Sequence, residues 1–172
     1  MHSNRKKKMS NQKKSVLFVC LGNICRSPMA EAILKDIVSK RKDAAEWKID
    51  SCGTGGHFAG SSPESRCIQT LRGKGISNYV HKARQLKQSD FNDFEYIFAF
   101  DSSNMEDIQD VNPKGSTANI ILLRSYDPEV TSGNEKDMTV IDPYYGSGTS
   151  LFEKCFDQCH RSLQNFMNKE SF

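Results

Sequence analysis

Val16-Leu17-Phe18-Val19 runs apolar without a polar break and is rich in β-branched and aromatic residues, which predicts a strand buried on both faces, as in a parallel sheet. Tyr96-Ile97-Phe98-Ala99-Phe100, within 95–100, repeats the pattern. Residues 46–51 alternate apolar and polar positions and predict a strand, and 119–123 predict the last. Between them the period changes to that of a helix. Met29, Ile33, Leu34 and Ile37 follow Ser27-Pro28, where serine suits an N-cap and proline the first helical position. A second helix is expected from Ser62-Pro63 to Gly73, with Cys67, Ile68 and Leu71 inward, and a brief one over 89–94. Another runs from Asp101 or Ser102 to Val111, stopped by Asn112-Pro113. Ser150 to Glu153 reads as a capping box that launches a last helix, with Leu151, Phe152, Cys155, Phe156, Cys159, Leu163, Phe166 and Met167 on its core face. Residues 53–63 form a glycine-rich surface loop, 81–86 a short edge strand, and 124–148 a long loop without regular structure. Strands alternating with helices imply an α/β fold with a parallel sheet covered on both faces and sites at the strands' C-terminal ends, where Cys20 and Asp101 lie.

The length of 172 residues suits one domain. No stretch approaches the ~18 apolar residues of a membrane span, and the start lacks the apolar segment of a signal peptide, so a cytoplasmic protein without membrane insertion is expected. The net charge of +3 hides an asymmetry. Six of the 24 basic residues precede position 15 with no acid among them, leaving 18 against 21 acidic residues in the body. Residues 1–14 therefore read as a disordered basic arm, with the folded domain over 15–172 and no nucleic-acid partner. The six cysteines are scattered through a mid-sized domain, which favours reduced thiols. No CxxC pair occurs, and Cys155, Cys159 and His160 belong to an amphipathic helix, so no metal site is expected.

The chemistry concentrates in Cys20-Leu21-Gly22-Asn23-Ile24-Cys25-Arg26-Ser27, a turn between a strand's C-terminal end and a helix N-terminus, where free N–H groups and the macrodipole favour an anion. Phosphate fits best, because successive N–H donors match its oxygens and Arg26 adds a planar fork. Gly22 lets the backbone turn inward, and Asn23 tolerates the left-handed region. The loop lacks the lysine of a nucleotide-binding loop and begins with a thiol. Cys20, surrounded by positive potential, is favoured as a thiolate and suits in-line attack on phosphorus. Ser27 could donate to the sulfur as it leaves. Cys25, five residues on, is open between packing and a redox role. The departing oxygen then needs a proton, and the long loop offers Asp127, Asp137 and Asp142. Asp142 stands out because Pro143 stiffens the turn after it and Tyr144-Tyr145 offer aromatic faces to an aryl substrate.

The segment Val16 to Ala32 and the run Asp142-Pro143-Tyr144-Tyr145-Gly146 resemble the two signatures of the low molecular weight protein tyrosine phosphatases, and the likeness extends from Ser15 to the final helix. The resemblance implies a three-layer αβα fold with a central four-stranded parallel sheet, and a metal-independent phosphocysteine mechanism without cofactor. Cys20 would be nucleophile, Arg26 phosphate clamp, Asp142 general acid, and Ser27 the hydroxyl easing thiolate formation and departure. Ser51 and His81 would hold Asn23 in its left-handed conformation, and Cys25 would form a reversible disulfide with Cys20 under oxidation. Leu21, Ile24, Tyr144 and Tyr145 would line the cleft. Ile24 favours phosphotyrosine, since related phosphoarginine enzymes carry threonine there. The implied partners are phosphotyrosine proteins or peptides, phosphate and other oxyanions as inhibitors, and a tyrosine kinase acting on Tyr144 or Tyr145. Two departures stand out: His57 occupies a cleft-mouth position that is usually aromatic, and the stretch between Pro128 and Asp142 is some six residues longer than usual. Three rival readings are a thiol-dependent arsenate reductase, a non-catalytic phosphate-binding module and a flavodoxin-like FMN binder. The first would need further exchanging cysteines, for which Cys52 and Cys67 are the candidates. The other two need neither nucleophile nor acid.

Overall fold

The computed structural model describes residues 14–170 and 172. The basic arm falls almost wholly outside the described residues. Lys14, assigned to that arm by charge alone, is instead the first residue of a strand, where it pairs with Trp47 and its Nζ meets Asp43 at 2.7 Å.

Four strands form one sheet: β1 (Lys14–Cys20), β2 (Trp47–Gly53), β3 (Tyr96–Ala99) and β4 (Asn119–Leu122). Their order is β2-β1-β3-β4, all parallel, so the unbroken apolar run of β1 lies at the centre with a partner on each side. Among the described residues, five helices cover the sheet: α1 (Arg26–Ser39), α2 (Ser65–Gly73), α3 (Asp90–Asp93), α4 (Ser102–Val111) and α5 (Ser150–Lys169). Period-two alternation divides β1 between two cores. Val16, Phe18 and Cys20 face α1, α2 and α5, whereas Leu17 and Val19 face α3 and α4. The first core is dominated by rings: Phe166 of α5 stands edge-on to Tyr96, Phe98 and Tyr126 at centroid distances of 5.1, 5.1 and 5.2 Å. This three-layer packing brings the C-terminal ends of β1 and β3 together, and Cys20 and Asp101 with them.

Several local expectations are corrected. Ser27 is not the cap of α1; the helix begins at Arg26, and the Ser27 hydroxyl turns back to the sulfur of Cys20. α2 starts at Ser65 rather than Ser62-Pro63, because Glu64 both caps it, accepting from Arg66 N–H, and donates its own N–H to Ile24 O. Residues 81–86 make one bridge, Gln85 with Gly53, instead of a strand, since the Arg84 side chain and backbone are drawn to Asp50, Asp90 and Asn23. The long loop contains two 3-10 turns, Leu123–Tyr126 and Glu135–Met138. The capping box does not form: Thr149 precedes α5 without a side-chain cap, and Ser150 is already helical.

Candidate active site

Cys20 ends β1 and Arg26 opens α1, so the five residues between them must reverse the chain within one short turn. Its carbonyls point outward and are held there. Thr54 and Gly55 N–H donate to Cys20 O and Leu21 O at 2.9 Å each, Glu64 N–H to Ile24 O at 2.8 Å, and Met29 N–H to Cys25 O at 3.2 Å. Among the described residues, only one N–H of positions 21–25 has a protein acceptor: Asn23 N–H donates to Cys20 Sγ at 3.3 Å. A turn with four of its carbonyls occupied and all but one of the N–H groups of 21–25 without a protein acceptor is an anion cradle.

Asn23 is the one described non-glycine residue at positive φ, +57°. An ordinary L-residue there is disfavoured by about 1–2 kcal/mol, so the conformation must be imposed from outside. Four hydrogen bonds impose it. Oδ1 accepts from Arg84 N–H at 3.0 Å, which fixes that atom as the oxygen, and lies 2.8 Å from His81 Nε2. Nδ2 donates to Ser27 Oγ at 2.9 Å and Ser51 Oγ at 3.0 Å. Behind them, Ser51 Oγ donates to Glu31 Oε1 at 2.7 Å, and the fully buried Glu31 is paired with Lys35. Burial, opposed by Glu31 and Asp50, holds His81 below the ordinary imidazole range, with Nε2 toward Asn23 and Nδ1 3.4 Å from Glu31 Oε1. Glycine at 53 is required by space, for a Cβ would sit 2.6 Å from Leu21 O.

Cys20 and Ser27 are buried, with Sγ 2.9 Å from the serine Oγ. Ser27 already accepts from Asn23, so toward a thiolate its own hydrogen is the donor. Arg26, 4% exposed, sends Nη1 to Asp101 Oδ2 at 2.7 Å and to Val140 O at 3.2 Å, and its Nη2 stands 3.7 Å from Asp142 Oδ2. Burial alone would lower the guanidinium; the sulfur of Cys20 together with Asp101 and Asp142 more than reverses this, so it stays charged. Burial first, and Cys20 second, push the Cys25 thiol above its ordinary range.

A cleft of 620 Å³ collects Cys20, Leu21, Gly22, Asn23, Ile24, Cys25, Arg26, His57, Asp142, Tyr144 and Tyr145, while Ser27, Ser51 and His81 stand behind its floor. Sequence reasoning passed over Phe58, which also lines the cleft, its ring 6.5 Å from that of Tyr144. The aromatic wall expected beside His57 is thus present one residue later. Asp101, expected as a strand-end carboxylate and a candidate start of the next helix, does cap α4, accepting from Asn104 N–H at 2.7 Å, and its other oxygen holds Arg26. Glu31 carries no signal beyond a charge on a helix, whereas Arg84 lies in the stretch 81–84 that shares the family resemblance.

A parallel four-stranded sheet bearing a C-x5-R-S anion loop on its C-terminal edge defines the class of cysteine-dependent phosphatases. The family model described as low molecular weight phosphotyrosine protein phosphatase matches residues 15–171. The low molecular weight phosphotyrosine protein phosphatase of Schizosaccharomyces pombe is 47% identical over 153 residues, covering 88% of this chain and 94% of that one. Two solved structures are similar. A protein tyrosine phosphatase from Entamoeba histolytica shares 32% identity at a TM-score of 0.81, over 92% of this chain and 97% of its own. A Drosophila arginine phosphatase shares 37% at 0.80, over 91% and 98%. The chain belongs to the low molecular weight phosphotyrosine protein phosphatase family.

Proposed function

We propose that the protein hydrolyses phosphotyrosine in proteins or peptides, and small aryl phosphates, through a phosphocysteine on Cys20. One observation carries the reading: a buried thiol backed by a serine hydroxyl at 2.9 Å shares a cleft with a charged arginine, an aspartate and three aromatic rings. The thiolate of Cys20 attacks phosphorus while the bond to the aryl oxygen breaks, and Asp142 gives that oxygen its proton. The free N–H groups of 21–25 and the Arg26 fork hold the equatorial oxygens, whose charge peaks in the transition state. Asp142 then takes a proton from water as it attacks the phosphocysteine; Sγ leaves as thiolate, eased by the Ser27 hydroxyl. Inorganic phosphate and other tetrahedral oxyanions compete for the same donors.

With peroxide as oxidant, Cys20 passes to the sulfenic acid, and the Cys25 thiol displaces hydroxide from it to give a disulfide and water. Tyr145, 85% exposed, is the accessible position for a tyrosine kinase, with Tyr144 at 40% less so.

Likeness to an arginine phosphatase supports a second reading, phosphoarginine hydrolysis. Ile24, lining the cleft, opposes it, because an apolar contact leaves a guanidinium's donors without partners. Rates on otherwise identical phosphotyrosine, phosphoserine and phosphoarginine peptides decide. Phosphotyrosine should lead both others by at least about tenfold in kcat/KM; a lead for phosphoarginine would replace the first reading with the second.

A further inference from the structure

Resting on the reading of Asp142 as general acid, we propose that Arg66 is a positioning residue that holds the acid segment 142–148 against the phosphate turn.

Arg66 lies in the first turn of α2, remote in sequence from both motifs, and its guanidinium touches neither the sulfur nor the floor of the cleft. Its Nη donors go to backbone carbonyls. Nη1 donates to Gly146 O at 2.6 Å and Gly148 O at 3.4 Å, and Nη2 to Tyr144 O at 3.0 Å. Nε is fixed by Glu64 Oε1 at 2.9 Å, and the guanidinium carbon lies 4.7 Å from the centroid of the Phe152 ring. Such a rigid fork grips three carbonyls at defined angles, which a lysine ammonium on a flexible stem cannot do.

Tyr144 is the shared piece. Its N–H donates to Asp142 Oδ1 at 3.2 Å, and its carbonyl is held by Arg66, so displacement of Tyr144 carries the carboxylate with it. Upstream the segment has other anchors: Val140 N–H on Phe100 O at 2.8 Å and Ile141 N–H on Gln158 Oε1 at 2.9 Å. Downstream, Arg66 supplies the side-chain anchor, aided by close packing of Gly146 on Leu151. The other end of the linkage reaches the phosphate turn, because the Glu64 that fixes Nε also donates its N–H to Ile24 O. Three consecutive residues, Glu64 to Arg66, therefore tie the downstream half of the acid segment to the phosphate turn, as Arg26 ties its upstream half through Val140 O.

Arg66→Met tests this, keeping an apolar stem over Phe152 while removing every donor. The readouts are kcat/KM for phenyl phosphate and p-nitrophenyl phosphate, the inhibition constant of inorganic phosphate, and the melting temperature. A misplaced acid should cost phenyl phosphate, the poorer leaving group, about thirtyfold and p-nitrophenyl phosphate under about threefold, with phosphate inhibition unchanged. Arg66→Lys should fall between, and Arg66→Met added to Asp142→Ala should bring no further loss on phenyl phosphate. Equal losses on both esters, weakened phosphate inhibition, or additive losses in the double variant would show a merely structural role and overturn the proposal. Asp142→Ala alone separates the two failures: if it does not discriminate between the esters, the acid assignment itself falls and Arg66 with it.

Discussion

The phosphate turn, residues 20–27, and the acid segment, 140–148, face each other across one cleft but are held in opposite ways. The turn is buried and stitched by side chains, four of whose hydrogen bonds converge on the single strained residue Asn23. The acid segment is exposed, with the Asp142 side chain at 40%, and is held mostly through its backbone by Arg26, Arg66, Gln158 and Phe100 O. A strained anion cradle keeps its shape before substrate arrives, at a cost offset by its supporting network. Under the proposed mechanism the acid must meet leaving groups of varied size, and a segment gripped by its backbone carbonyls with the carboxylate left exposed suits that task. Damage to the first region should therefore be blind to the leaving group, and damage to the second should depend on it.

The largest effect is expected at the sulfur. Cys20→Ser should lower turnover of p-nitrophenyl phosphate by at least about 10³-fold while phosphate still binds, measured by stopped assay and by calorimetry. Comparable residual turnover would remove Cys20 as nucleophile. Asp142→Ala should follow, slowing phenyl phosphate by about 10²–10³-fold and p-nitrophenyl phosphate by much less.

Gly53→Ala strikes the first region alone, since its Cβ would meet Leu21 O at 2.6 Å and push on backbone. A loss of about tenfold, equal for both esters and matched by weaker phosphate inhibition, is the expected result; a loss confined to phenyl phosphate would erase the contrast between the regions. The smallest effect belongs to Gln158→Leu, which orphans the Ile141 N–H beside the acid. A loss of stability of about 1–3 kcal/mol is expected by denaturant titration, with about a threefold fall on phenyl phosphate only.

The same contrast explains what could be read from the chain alone. The phosphate turn is contiguous: strand, thiol, glycine, arginine and helix follow one another, so residue types and spacing carried the site and the sheet's central strand together. Ser27 reads in the sequence both as a helix cap and as a donor to the departing sulfur, because a serine at a helix start has two uses; the folded turn excludes the first and puts the hydroxyl on Cys20. The acid segment gave Asp142-Pro143 as a signal but not its supports. Arg66, Gln158 and Gly53 work through backbone groups of distant segments, and a carbonyl carries no residue type to match. Phe58 was missed because only the loop's course decides which neighbour turns into the cleft. The bridge at Gln85 and the absent capping box are the same lesson on a local scale, where tertiary bonds outweighed local propensity.

The most direct test is to trap the intermediate. Asp142→Ala, with both steps slowed, should be mixed with p-nitrophenyl phosphate, quenched in acid and fragmented by tandem mass spectrometry, because Cys20 and Cys25 share one tryptic peptide. A phosphoryl group on the sulfur of Cys20, absent from Cys25 and lost on continued incubation, is the predicted result. A phosphoryl group on any other side chain, or substrate turnover with no phosphorylated protein during the steady state, would contradict it.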